Sequence, residues 1–389
     1  MPRPQFLSGN QLHLLVTGAA YFPALIAAID ASRDELFLET YIFADDQTGS
    51  LIAQALARAA IRGVRVQLLI DGFGARDFAP RFRTLLQDAG VRVLVFRPQI
   101  SPWTFQRHRL RRMHRKMLAV DGVLALVGGI NVIDDYDTPG QTPPRYDYAV
   151  QIRGPLARQV RDAAARLWSR VAWAHLKREW RVASHVKPER GPGVGQSRAA
   201  LVVRDNVRHR RDIEVAYLTL IGRAREEIIL ANAYFFPGRR FRRALQAAAA
   251  RKVRVVLLLQ GRVEYALFHY AARALYGSLL DAGVEIYEYK KSFLHAKVAV
   301  IDGRWSSVGS SNIDPFSLLL AREANVFADD PAFALTLRTS LQNAIDTGAQ
   351  RLPPAHWHAQ PLLLRVRMWL AYGLTRLLLA LSGTSRWQP

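Results

Sequence analysis

The chain has 389 residues, half of them hydrophobic and 22% charged, enough to bury the cores of two ordinary domains and too apolar for a disordered, collagenous or low-complexity polypeptide. It contains no cysteine, which excludes disulfides, thiolate metal sites and a cysteine nucleophile. Its formal charge of +22 directs it to polyanions, nucleic acid or an anionic membrane surface, without choosing between them.

The N-terminal stretch lacks a signal-peptide layout, its apolar residues being interrupted by His13, Thr17 and Pro23. No run of about 18 uncharged apolar residues follows anywhere, so a membrane-spanning helix is not expected. From Glu35 the chain reads ELFLETYIF, then the Ala-rich helical LIAQALARAAIR from Leu51, VRVQLLIDG from Val64 and AGVRVLVF from Ala89. The same four segments return in the same order. EIILANAYFF starts at Glu227, RRALQAAAAR at Arg242, VRVVLLLQG at Val253 and AGVEIYEY at Ala282. Strand, helix, strand, helix and strand, repeated, predict a duplicated α/β protein with largely buried, parallel-leaning sheets. The aperiodic, Gly- and Pro-rich segment 182–199 is the expected linker. It separates a first domain, 1–181, from a second, 200–350, and a basic apolar tail, 351–389, completes the chain.

Each half carries one further pattern. In the first, His114 and Lys116 precede Asp121-Gly122 and then Gly128-Gly129-Ile130-Asn131. In the second, His295 and Lys297 precede Asp302-Gly303 and then Gly309-Ser310-Ser311-Asn312. His and Lys two apart on a strand share one face. Asp-Gly suits the tight turn of a hairpin, and small residues at the end of the return strand let backbone approach a phosphate. One such pattern in a chain of this composition would carry little weight; two at matching places in a duplicated fold point to one chemistry.

This pair of motifs resembles the signature of the phospholipase D superfamily. RRMHRKMLAVDG, ANAYFFPG from Ala231 and VGSSNIDPFSLLLAREANV from Val308 are similar to bacterial cardiolipin synthases, in particular the B type, which lacks an N-terminal transmembrane pair. The resemblance runs from about Gln11 to about Asp346. It implies two phospholipase D-like α/β/α sandwich domains related by a pseudo-twofold axis, with one active site at their interface. It also implies phosphatidyl transfer from one phosphatidylglycerol to another with release of glycerol. Hydrolysis, or another donor or acceptor alcohol, is the alternative, and a nuclease of the same superfamily fits less well.

The residues suit that chemistry without a metal or other cofactor. One neutral histidine attacks phosphorus and the other serves as acid and then base; the resemblance makes His114 the nucleophile and His295 the acid/base. Lys116 and Lys297 would hold the non-bridging oxygens, with Asn131 and Asn312 as neutral donors. Asp147 in RYDYAV and Glu323 in REANV stand where family members place the acids that orient the histidines. Asp121 and Asp302 belong to the catalytic motifs, although their place across the turn reads as mainly structural. The family's second motif often has an amide where Ala321 stands, and the wider superfamily commonly has serine where Gly129 stands, although cardiolipin synthases often show glycine there.

Arg107, Arg109, Arg111 and Arg112, interleaved with Trp103 and Phe105, surround the approach to His114, and Arg239 and Arg240 follow the ANAYFFPG stretch. Such clusters suit lipid phosphate at a membrane interface. The expected partners are therefore anionic phospholipids, phosphatidylglycerol and cardiolipin, and the membrane surface, not nucleic acid. The expected location is peripheral, on the cytoplasmic face of the bacterial inner membrane. Within the tail, Arg365 and Arg376 share a helical face and Arg367 lies nearly opposite, so no clean amphipathic pattern emerges, yet anchoring at the interface is favoured over packing in a core.

Overall fold

All six residues of Glu35–Thr40 are buried, which is why an apolar run with little alternation forms a strand covered on both faces. In the computed structural model, the described residues are 4–76, 78–98, 111–138, 142–183, 193–263 and 266–381. The first half begins with β1 (Leu7–Val16), α1 (Thr17–Asp30), β2 (Glu35–Thr40), α2 (Gln47–Ile61), β3 (Arg65–Asp71), α3 (Pro80–Asp88) and β4 (Arg92–Phe96). The motif hairpin β5 (Lys116–Val120) and β6 (Leu124–Gly128) follows, then β7 (Arg145–Tyr146), β8 (Tyr148–Arg153) and α4 (Pro155–Ala174).

The second half opens with β9 (Ser197–Arg204), α5 (Asp212–Arg223), β10 (Glu227–Asn232), α6 (Arg239–Ala250) and β11 (Arg254–Gln260). Two short helices, α7 (Ala266–Arg273) and α8 (Tyr276–Leu280), precede β12 (Glu285–Tyr289) and the two-residue β13 (Phe293–Leu294). The second hairpin is β14 (Lys297–Ile301) and β15 (Trp305–Gly309), followed by α9 (Pro315–Leu319), β16 (Glu323–Asp329) and α10 (Pro331–Gly348). β17 (Ala349–Arg351), α11 (Pro354–His358) and α12 (Leu362–Leu381) complete the described chain. Two helix starts carry side-chain caps: the Asp46 carboxylate accepts from the Gly49 N–H at α2, and Asp330 caps α10 ahead of Pro331.

Fifteen strands form one sheet in the order β17-β12-β11-β10-β14-β15-β16-β9-β1-β8-β6-β5-β2-β3-β4. Apart from β17 this order reads the same from both ends, so the duplication becomes a pseudo-twofold axis between β9 and β1. Within this sheet, among the described residues, pairing is parallel only in β2-β3-β4 and β10-β11-β12; β7 and β13 pair separately. The motif hairpins and the strands beside them make the rest antiparallel, which corrects the parallel-leaning expectation. Each hairpin turns on two successive residues with positive φ, Asp121-Gly122 and Asp302-Gly303.

On one face of the sheet, α4 and α10 pack into a core shared by both halves. On the other face the cores are separate, α1 to α3 in the first half and α5, α6 and α8 in the second. A shared core of this kind fixes the halves relative to each other, as a site between them requires. Two boundaries differ from expectation. β9 starts at Ser197, inside the expected linker, because it pairs with both β1 and β16. Arg351, assigned to the tail, ends β17 on β12.

Candidate active site

β5 begins at Lys116 and β14 at Lys297, so each histidine stands just ahead of its strand instead of within it. The other half of the molecule fixes it there. β13 lies parallel to β7, with Leu294 opposite Tyr146, and the His295 N–H donates to the Tyr146 carbonyl at 2.8 Å. The first motif does the same: Met113 bridges in parallel to Arg322, and the His114 N–H donates to the Arg322 carbonyl at 2.9 Å. In both places the residue after the accepting carbonyl is the acid.

This register crosses the pairing. His295 Nδ1 lies 2.6 Å from Asp147 Oδ2, and His114 Nδ1 lies 3.0 and 3.1 Å from the two carboxylate oxygens of Glu323. Each histidine is thus oriented by the acid that follows the other motif. A carboxylate at Nδ1 makes that nitrogen the protonated one of a neutral ring and leaves Nε2 for chemistry. The sequence identifies both acids; the crossing follows only from the cross-half strand pairs, two of them too short to show a period.

The two sides are not identical. Ser310 Oγ donates to Glu323 Oε2 at 2.5 Å. At the matching position Gly129 has no side chain, and a Cβ there would overlap both carboxylate oxygens of Asp147. The departure noted at Gly129 therefore has a steric reason: the bare glycine leaves the space that the Asp147 carboxylate occupies beside His295. Gly129→Ser is expected to displace that carboxylate and lower turnover about tenfold to a hundredfold while the fold persists. Steady-state kinetics with circular dichroism checks this; full turnover in the variant contradicts it.

The histidines, Asn131 and Asn312 line one cleft of about 760 Å³, whose walls are largely apolar and include Phe73, Phe235, Phe236, Phe268 and Leu320. The Asn131 side-chain oxygen accepts from the Ile42 N–H, which leaves its N–H donors for a ligand. The edge of Tyr41 meets the His114 ring at a centroid distance of 4.9 Å. Both motif lysines are buried. Lys116 Nζ donates to its own histidine's carbonyl at 2.8 Å, Lys297 Nζ does likewise to His295, and Lys297 also lies 3.6 Å from Asp147.

Burial sets the electrostatics. It pushes His295 down to about 3, with Lys297 adding to the effect and Asp147 opposing it. Burial also lowers His114, against the pull of Glu323. Asp147 would rise on burial, but Lys297 and His295 outweigh that and hold it below the usual carboxylate range. The cleft therefore holds two neutral imidazoles and an ionised Asp147, and an arriving anion favours protonation of a histidine. Burial, partly offset by Glu323 and reinforced by Lys297, brings Lys116 down to about 7. Because the charged form is the one below that value, kcat/KM on a short-chain phosphodiester is expected to fall as pH rises from 7 to 9. A pH profile flat over that interval contradicts a charged Lys116 at the phosphate.

Asp121 and Asp302, counted with the catalytic motifs, lie elsewhere. Five-residue strands carry them roughly 20 Å from the histidines. Asp121 accepts the N–H groups of Arg33, Asp34 and Glu35, and Asp302 those of Arg225, Glu226 and Glu227. They brace each hairpin against the start of β2 or β10. Arg112 lines the cleft and Arg111 is half-buried next to it in the chain. Arg239 and Arg240 open α6, exposed, and are not among the cleft-lining residues; the Gly238 turn carries them past the cleft. Trp103, Phe105, Arg107 and Arg109 lie outside the described residues. The cleft wall from α7, with Phe268 and His269, has no counterpart in any sequence expectation; only its aromatic content, LFHYAAR, could have signalled it.

Two motif histidines meeting on one cleft of a duplicated α/β sheet, each followed by a buried lysine, define a phospholipase D-type phosphodiester transferase. The family model described as "Cardiolipin synthase, PLD-like domain" matches residues 25–168 and 217–345. The chain belongs to this cardiolipin synthase family of phosphatidyltransferases. It is 38% identical over 354 residues to cardiolipin synthase B of Escherichia coli strain K12, covering 90% of this chain and 85% of that one. It is 32% identical over 340 residues to cardiolipin synthase A of Pseudomonas putida strain KT2440, covering 86% and 68% of the two chains. The fold matches the crystal structure of a phosphatidylserine synthase from Haemophilus influenzae with a TM-score of 0.70 at 13% identity, over 94% and 93% of the chains.

Proposed function

We propose that the enzyme joins two phosphatidylglycerols into cardiolipin through a phosphohistidine and releases glycerol. The crossed pair of carboxylate-backed histidines on one cleft carries this reading. His114 Nε2 attacks phosphorus as the bond to the headgroup glycerol oxygen breaks, and His295 gives that oxygen its proton. The hydroxyl of a second phosphatidylglycerol then attacks phosphorus, the P–N bond breaks, and the hydroxyl proton passes to His295. Lys116, Lys297, Asn131 and Asn312 hold the non-bridging oxygens, where charge grows in the transition state. The apolar walls suit acyl chains and exclude water, which favours transfer over hydrolysis.

The same reading places the protein peripherally on the cytoplasmic face of the inner membrane, where anionic lipid attracts a chain of +22. The test is incubation with vesicles of phosphatidylglycerol labelled in both glycerols. Cardiolipin and free glycerol in equal amounts are expected. Phosphatidic acid without cardiolipin would make the enzyme a hydrolase instead.

A further inference from the structure

The tail has no clean amphipathic pattern because α12 has two apolar faces. At about 3.6 residues per turn, Leu364, Met368, Ala371, Tyr372 and Thr375 fall on one stripe. Met368, Tyr372 and Thr375 are buried, and Leu364 and Ala371 pack on the same cores. The opposite face carries Leu362, Val366, Trp369, Leu370, Leu374 and Leu377, all exposed, Leu362 to 74% and Leu370 to 68%. Arg365 and Arg376 run along one border of this outer face and Arg367 along the other, all three exposed. An apolar crest edged by arginines on both sides is the pattern of a helix lying in a membrane interface, its leucines among acyl chains and its guanidinium groups at headgroup phosphates. No described helix is long and apolar enough to cross a membrane, so α12 would lie in the plane of the surface.

The inner side of this helix leads to the chemistry. α12 packs along α7, and α7 supplies Phe268, His269 and Ala272 to the catalytic cleft. The Tyr372 ring lies 5.9 Å from that of Phe236, which also lines the cleft. A monomeric soluble protein rarely leaves so many contiguous leucines in water. One that draws a lipid from a bilayer needs such a surface beside its cleft.

We infer that the outer face of α12 docks on an anionic lipid bilayer and sets the α7 wall of the cleft against the leaflet. The inference rests on the lipid-transfer reading above and assigns its membrane contact to one helix face. The charge of α12 selects the occupant: the flanking arginines would repel one another across a twofold contact with a second copy, and they match lipid phosphate.

The experiment uses the full chain, the variant Leu370→Glu/Leu377→Glu and the variant Arg365→Gln/Arg367→Gln/Arg376→Gln. Both alter exposed residues, so the fold should persist. Co-sedimentation is measured with vesicles of phosphatidylglycerol and phosphatidylcholine, and with phosphatidylcholine alone, at low and high salt. The leucine variant is expected to lose at least tenfold in vesicle binding at high salt and to keep its turnover on soluble short-chain phosphatidylglycerol. The arginine variant is expected to lose much of the preference for phosphatidylglycerol vesicles at low salt. Unchanged high-salt binding by the leucine variant overturns the inference. So does a wild-type dimer in light scattering that the leucine variant splits, since the face would then be a subunit contact. Vesicle binding is read without turnover, so the docking surface and the proposed reaction can fail separately.

Discussion

Replacing His114 or His295 with alanine is expected to lower turnover about a thousandfold or more. Neither loss can be covered by a neighbour: the other imidazole already has its own role and its own carboxylate. The lysines beside them donate to backbone carbonyls and carry no nucleophile while charged. Steady-state assay of each purified variant on labelled phosphatidylglycerol checks this. A tenth of wild-type activity in either variant would contradict a paired-histidine reaction.

The orienting acids come next in expected size. Asp147→Asn and Glu323→Gln each keep the shape of the site and remove the charge that holds the ring tautomer, and a loss of roughly a thousandfold is expected from either. The crossed geometry adds a sharper expectation. Asp147→Asn should perturb the ring of His295 in the second half, and Glu323→Gln that of His114 in the first. Nitrogen chemical shifts of the two imidazoles, assigned through the histidine variants, would show which ring responds. A response confined to the histidine of the same half would contradict the crossing.

Much of this architecture was legible in the chain because duplication leaves a visible trace. ELFLETYIF and EIILANAYFF become β2 and β10, and the two H-x-K motifs become hairpins at equivalent places. The motif residues that face the cleft could be named for the same reason. What local pattern cannot carry is the contact between halves. β7 and β13 are two residues long, and Met113 pairs with Arg322 through a single bridge, yet these contacts decide which acid meets which histidine. Asp121 and Asp302 belong to the motifs by spacing, their place across the turn already reads as mainly structural, and their hydrogen bonds to the start of β2 and β10 show what they brace. The tail resisted reading for a different reason: a helix apolar on two faces gives no single moment, and the arginines between them look misplaced until the packing on α7 is known.

In the proposed reaction phosphorus passes through one histidine of a site built by both halves. The direct measurement is to mix enzyme with labelled phosphatidylglycerol, stop the reaction in denaturant at alkaline pH, where a phosphorus–nitrogen bond survives, and map the label by peptide mass spectrometry. A phosphatidyl adduct on His114 is expected in the wild-type enzyme and should be absent from His114→Ala. An adduct on residue 295 instead would reverse the roles of the histidines, and cardiolipin formed with no adduct on either would contradict the mechanism.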